Sequence, residues 1–232
     1  MNNFLELRNI SKTFNNSKKL KVLKNLSYNF KKGKTYSLMG PSGSGKSTLL
    51  NLISLIDRPT MGSINFDQSY INFNENKKND IIRSKKIGII YQQNNLLSDF
   101  TALENVYLAS LSLHNDKDLA ISKAKYLLKL VGLLNRSNHY PSQLSGGETQ
   151  RIAIARAIIN DPEVILADEP TGSLDIDTAQ DVFKLLNNQK TSNRLIIFAT
   201  HNRFFANKAD CLLEMIDGSI KSTNAWVFKS KF

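Results

Sequence analysis

One cysteine, Cys211, occurs in the whole chain. That excludes an internal disulfide and suits a reducing compartment. No apolar run approaches the ~20 residues that cross a bilayer, and Met1 to Glu6 shows no basic stretch leading into an apolar one. No secretory leader is therefore expected. Internal repeats, low-complexity linkers and sustained heptads are also missing, which excludes solenoids and long coiled coils. Acidic residues are few: 20 Asp and Glu stand against 31 Lys and Arg, for a net charge of +11. Such a balance suits nucleic acid or an anionic membrane surface. Here the cations fall in short pairs such as Lys18-Lys19, Lys31-Lys32, Lys77-Lys78 and Lys85-Lys86, with no aromatics between them. They read as solvated surface charge, so no specific nucleic-acid partner is expected. Hydrophobic residues make up 41% of 232 positions, enough for one large domain or a domain with a subdomain. The expectation is a soluble, cytosolic chain that reaches any membrane through another subunit.

What is present begins with Gly40-Pro41-Ser42-Gly43-Ser44-Gly45-Lys46-Ser47, followed by Thr48. The run follows the strand-like Thr35 to Met39 and opens the helix-like Thr48 to Ile53. Strand, glycine-rich turn and helix are the setting of a phosphate-binding loop. Glycines let backbone N–H groups converge on phosphate oxygens, and the helix points its positive end at them. In that role Lys46 reaches the β- and γ-phosphates, and the Ser47 hydroxyl takes one Mg²⁺ position.

Elsewhere in the first ninety residues the pattern reads as strands, at Phe4 to Ile10, Leu23 to Phe30 and Lys86 to Tyr91, with a turn at Pro59 to Gly62. From about Ala102 to Asn160 the spacing turns helical. Leu119, Ala120, Ala124, Leu127, Leu128 and Val131 fall on one face, with Gly132 as a C-cap. Val164 to Ala167 and Leu195 to Ala199 are wholly apolar, as parallel strands tend to be. Between them Ile176 to Gln189 reads as a helix capped by Asp175. Strands at Leu212 to Met215 and Ser219 to Lys221 flank the turn Asp217-Gly218. The outcome is one α/β domain over 1–232, with a core at about 1–91 and 162–232 and a helical insertion at about 92–161.

Asp168-Glu169 follows the apolar run at 164–167, and open parallel sheets bind ligands outside the carboxyl ends of their strands. Asp168 there would hold Mg²⁺ and Glu169 would polarise an attacking water. Leu144-Ser145-Gly146-Gly147-Glu148 opens another helix, with Ser145 as its cap and two glycines leaving its N-terminus bare for an anion.

With these motifs the chain resembles the ATP-binding cassette (ABC) family over nearly its whole length. In order, the phosphate loop at 40–47, Gln92, the signature at Leu144 to Glu148, Asp168-Glu169, the Gly172-Ser173-Leu174-Asp175 loop and His201 match the family pattern. The resemblance implies a P-loop NTPase with a RecA-like core, an antiparallel β-subdomain and an inserted helical subdomain. It implies ATP and Mg²⁺ as cofactors, Phe14 stacking on adenine, Gln92 touching the Mg²⁺ or the water, and His201 bonding the γ-phosphate. It further implies a second copy of the chain, whose signature and Asp175 close over the nucleotide, and two transmembrane permease subunits.

Within the family, the run Leu96 to Val106, with Ser137-Asn138-His139 and Leu213 to Gly218, resembles the ATPases of bacterial lipoprotein-releasing systems. That likeness implies a peripheral place on the cytoplasmic face of the inner membrane. Asn94-Asn95 departs from the His-rich or aromatic residues of those relatives. Macrolide-exporter and cell-division ATPases share the architecture and stay open as alternatives.

Overall fold

The computed structural model describes residues 4–15, 19–113 and 115–223. The first elements in chain order are β1 (Leu5–Asn15), β2 (Lys19–Phe30), β3 (Thr35–Met39), α1 (Lys46–Ile53), β4 (Met61–Phe66), β5 (Ser69–Tyr70) and α2 (Asn76–Lys86). Next come β6 (Ile87–Ile90), α3 (Ala102–Leu111), α4 (Lys117–Leu130), α5 (Gly146–Ile158), β7 (Val164–Asp168) and α6 (Ile176–Asn187). The chain then forms β8 (Leu195–Ala199), α7 (Arg203–Ala206), β9 (Cys211–Ile216) and β10 (Ser219–Thr223). It divides into two compact units, 1–80 with 190–232, and 81–189.

The first unit contains an antiparallel sheet ordered β2-β1-β4-β5 and a second run of strands ordered β10-β9-β3-β8. In the second run β3 is parallel to both β8 and β9. Parallel strands covered on both faces tend to be apolar, and β3 and β8 are buried along almost their whole length. β8 is wholly apolar, while Thr35 and Ser37 of β3 place their hydroxyls on Asp210 Oδ2 and Ala206 O. Helix α1 turns Leu49, Leu50, Leu52 and Ile53 inward. Strands β9 and β10 form a hairpin through Asp217-Gly218, both at positive φ.

In the second unit β6 runs parallel to β7. Three helices share a core of Ala102 and Val106 from α3, Ala124 and Leu128 from α4, and Ile152 and Ala155 from α5. Their ends are set by local chemistry. Thr101 and Glu104 form a reciprocal capping box on α3. Asp116 caps α4 through the Leu119 amide, and Gly132 lies past its end at φ 75°.

The structure corrects three sequence expectations. Residues 76–86 form a helix where strands were expected, and its one buried residue is the polar Asn79, held by Asn72. Met61 and Gly62 already belong to β4 and not to a turn. Leu119 is exposed, because it sits in the first turn of α4 while Ala120, Ala124 and Leu128 face the core. His114 and the tail Trp226 to Phe232 lie outside the described residues.

Candidate active site

In the first unit, β3 ends at Met39 and the chain turns through the phosphate loop into α1. Gly40 has no room for a side chain: a Cβ there would lie 2.2 Å from the carbonyl oxygen of Met215. The loop is drawn in by Ser44 N donating to Pro41 O at 3.2 Å. Gly45 caps α1 in a left-handed conformation with no side-chain cap, and no acidic residue occupies the first turn. The first i→i−4 bond runs from Leu49 N to Gly45 O, so the amides of Lys46, Ser47 and Thr48 have no acceptor within the helix. The Ser44 hydroxyl is buried with no hydrogen-bond partner. Lys46 Nζ donates to Gly40 O at 2.8 Å and to Pro41 O at 3.0 Å, which folds its ammonium back over the loop. This is a concave, uncapped, donor-rich turn with one cation, the chemistry of an anion cradle. Pro41, Ser42, Gly43 and Ser47 form its exposed rim.

His201 leaves the same end of the sheet. β8 pairs with β3 so that Ala199 lies opposite Leu38, and Thr200 N donates to Leu38 O at 3.0 Å. Asn202 then caps the short α7 through the Phe204 amide, fixing the turn on which His201 stands exposed. Phe14 lies opposite Leu20 at the far end of the β1–β2 pairing. A little further along β2, Val22 and Leu23 line Gly45. The Phe14 ring is half-buried, with Lys12 Nζ 4.9 Å from its centroid. That ammonium is itself held by Asp57 Oδ1 at 2.6 Å and Arg58 O at 2.9 Å.

In the second unit Ile90 of β6 lies opposite Ala167 of β7. Gln92 and the Asp168-Glu169 pair therefore emerge from the carboxyl ends of two adjacent parallel strands. Glu169 has φ 45°, a left-handed backbone that costs a non-glycine residue on the order of 1 kcal/mol. It opens a turn closed by Gly172 N donating to Glu169 O at 3.0 Å. A Cβ on Gly172 would stand 3.4 Å from Glu169 Cβ and 3.6 Å from Gln92 Nε2, so all three residues gather at one point. Strain at a carboxylate beside an amide is a feature that spacing could not show.

The signature turn differs from its sequence expectation in one respect: the N-terminus of α5 is not bare. The Ser145 hydroxyl accepts from Glu148 N, and Glu148 Oε2 accepts from Ser145 N at 2.8 Å. The Ser145 amide, the Ser145 hydroxyl and Arg136 together hold the Glu148 carboxyl below the usual carboxylate range, outweighing its burial. The amides of Gly146 and Gly147 remain as donors toward an anion, while the Ser145 amide and hydroxyl are turned to Glu148. Gly147 packs closely on α6: a Cβ there would come within 2.3 Å of Thr178 Cγ2, so any side chain would force Thr178 to shift. Thr178 N in turn donates to Asp175 Oδ1 at 3.0 Å, so Asp175 caps α6 as expected. Leu144 packs against the three-helix core. Arg156, which no motif singled out, donates to Asn94 O and Asn95 O and so ties the segment after Gln92 to α5. Among the described residues no group of three His, Cys, Asp or Glu could hold a metal ion.

Fold and site define a P-loop NTPase, with a β-subdomain in one unit and a helical subdomain in the other. Residues 23–172 match the ABC transporter family model. The lipoprotein-releasing system ATP-binding protein LolD of Rickettsia bellii is 43% identical over 94% of this chain and 98% of its own length. The macrolide export ATP-binding/permease protein MacB of Mannheimia succiniciproducens is 39% identical over 94% of this chain and 34% of its own length. The dimeric structure of the ATP-binding cassette MJ0796, in a post-hydrolysis state bound to ADP and Pi, superposes with a TM-score of 0.89. It is 36% identical and covers 96% of this chain and 99% of that one. The chain belongs to the ABC transporter family, as an ATP-binding and ATP-hydrolysing subunit.

Proposed function

We propose that this ATPase powers the release of lipoproteins from the inner membrane toward the outer membrane. It does so as two copies beneath two permease subunits on the cytoplasmic face. The observation that carries this reading is the likeness, along nearly the full length of both chains, to the Rickettsia lipoprotein-releasing ATPase.

Each site residue has a role in it. Lys46 and the amides of Gly43 to Thr48 hold the β- and γ-phosphates, the unpartnered Ser44 hydroxyl bonds a phosphate oxygen, and Phe14 stacks on adenine. Glu169 takes the proton of the attacking water, and His201 bonds the γ-phosphate. Gly146 and Gly147 of the second copy add donors that close over the same phosphates, with Ser145 and Glu148 bracing the turn and Asp175 setting the neighbouring helix. Mg²⁺ fits the donors available. The Ser47 hydroxyl, the Gln92 amide oxygen and the Asp168 carboxylate are hard oxygen ligands with a single charge, and Mg²⁺ favours few protein oxygens beside phosphates and water. When bound, the ion neutralises charge on the β- and γ-oxygens.

Glu169→Gln tests the chemistry. It keeps the shape and removes the base, so turnover falls about 10²- to 10⁴-fold while ATP binding persists. With ATP and Mg²⁺ the variant accumulates as a dimer in size exclusion. Normal turnover with only monomer present overturns the assignment. The likeness to the macrolide exporter supports a second reading with the same chemistry and a different permease.

A further inference from the structure

Two kinds of hydrogen bond join the segment after Gln92 to α5. Arg156 donates from Nη2 to Asn94 O and from Nη1 to Asn95 O, both at 2.7 Å. These bonds grip main chain and are indifferent to the side chains there. The other link is chosen by sequence: Asn94 Nδ2 donates to Thr149 Oγ1 at 2.6 Å. Thr149 Oγ1 gives its own proton to Gly146 O at 2.8 Å. A hydroxyl has one proton, so a threonine that spends it on Gly146 can meet Asn94 only as acceptor, and the asparagine amide is the matching donor. The opposite atom, Asn94 Oδ1, is buried and has no hydrogen-bond partner among the described residues, so the amide is oriented by its bond to Thr149. Next to this contact Asn95 sits at φ 47°, a turn held by the bonds on either side of it. The relay starts two residues after Gln92 and ends on the first residue of α5, between Ser145 and Gly147.

We propose that Asn94 and Thr149 are positioning residues whose bond makes the Gln92 segment and the signature turn move together. A displacement of Gln92 on arrival or loss of the γ-phosphate is passed through Asn94 and Thr149 to Gly146. The ligand in this inference rests on the ATP reading above, and the link itself does not.

Thr149→Val keeps the shape and removes the hydroxyl, Thr149→Ser keeps the hydroxyl, and Asn94→Ala removes the donor. Thr149→Val and Asn94→Ala should each lower kcat about three- to tenfold, the worth of one hydrogen bond, with fluorescent-nucleotide affinity within about twofold of the parent. The double variant should be no worse than either single one, and Thr149→Ser should stay within about twofold of the parent. Amide exchange should rise in 91–101 and in 145–149 together. Additive losses, a Thr149→Ser as poor as Thr149→Val, or faster exchange in only one of the two segments overturns the proposal. If Thr149→Val fails to fold, Asn94→Ala and Thr149→Ser decide by the same readings. Absence of ATP turnover in the parent protein would sink the ATPase reading alone, and the exchange measurement would still judge the link.

Discussion

Lys12 shows how one side chain serves the fold and the site together. It is 8% exposed, yet its ammonium ends on Asp57 Oδ1 and Arg58 O and stands over the Phe14 ring. A buried cation with its partner contributes little net stability, but one stripped of its partner is costly. Asp57→Ala should therefore destabilise the protein by about 2–3 kcal/mol, below the fully buried range because Asp57 is itself partly exposed. The urea midpoint reads this. Adding Lys12→Met should recover most of the loss, since an apolar side chain of similar length needs no counter-charge. A double variant as unstable as Asp57→Ala would show that Asp57 acts through something other than the ion pair. Nothing in the spacing of Lys12 and Asp57 marks them as partners, because 45 residues separate them and neither lies in a motif. The left-handed backbone of Glu169 was equally invisible, for the strand before it reads the same whichever way the next residue turns.

Among the elements, β7 and β8 were legible from the unbroken apolar runs Val164 to Ala167 and Leu195 to Ala199, as strands buried on both faces tend to be. Strand β3 was legible from its place before the phosphate loop. The starts of α5 and α6 were legible because Ser145 and Asp175 carry their caps in the sequence. Helix α2 was not, since its polar sequence offers no apolar face and its anchor is the buried amide of Asn79. The β4–β5 hairpin was missed for a different reason. Its turn residues Asp67 and Gln68 both have positive φ, a conformation usually announced by Asn-Gly or Asp-Gly. The pairing of β3 with β9 depends on a group that no pattern reveals. Asp210 accepts from Thr35 N at 2.7 Å and from Lys190 Nζ at 2.8 Å, just before the two strands come into register. Burial pushes its carboxyl up, but Lys190 and the Thr35 amide and hydroxyl together bring it below its ordinary value. A carboxyl lowered on folding stabilises above its unfolded pKa, about 4, and that contribution fades as pH falls through the lower folded value. Asp210→Asn should thus be less stable than the parent at pH 7, and the gap should narrow on acidification below about pH 4. Urea midpoints across that range measure it, and a gap that stays constant would exclude the carboxylate as its source.

At the scale of the molecule, the surface must explain how an ATPase reaches a membrane. No helix among the described residues is long and apolar enough to cross one. The net charge of +11 is spread over scattered lysines, several already paired, as Lys78 is with Glu75 and Lys86 with Glu163. Diffuse charge of this kind favours encounter with an anionic surface but selects no partner. Selection needs apolar contact, and the second unit exposes large apolar side chains on two joined segments. Leu97, Phe100, Leu134 and Tyr140 are large, apolar and exposed. Their two segments are joined where Ala102 N donates to His139 O and Leu103 N to Ser137 O. A patch built on the segment that follows Gln92 would feel any movement of that glutamine, so a partner seated there is coupled to ATP. We expect the cytoplasmic segments of the permease subunits to dock on it. Co-expressed with candidate membrane subunits, the chain should recover a lipoprotein-releasing pair. Phe100→Asp should cut that recovery at least about tenfold, as loss of an interface anchor does, with the melting temperature of the isolated chain unchanged. Recovery of a macrolide-exporter or cell-division permease instead would reassign the cargo while leaving the ATP chemistry in place. Undiminished recovery of the lipoprotein-releasing pair by Phe100→Asp would move the docking site off this patch.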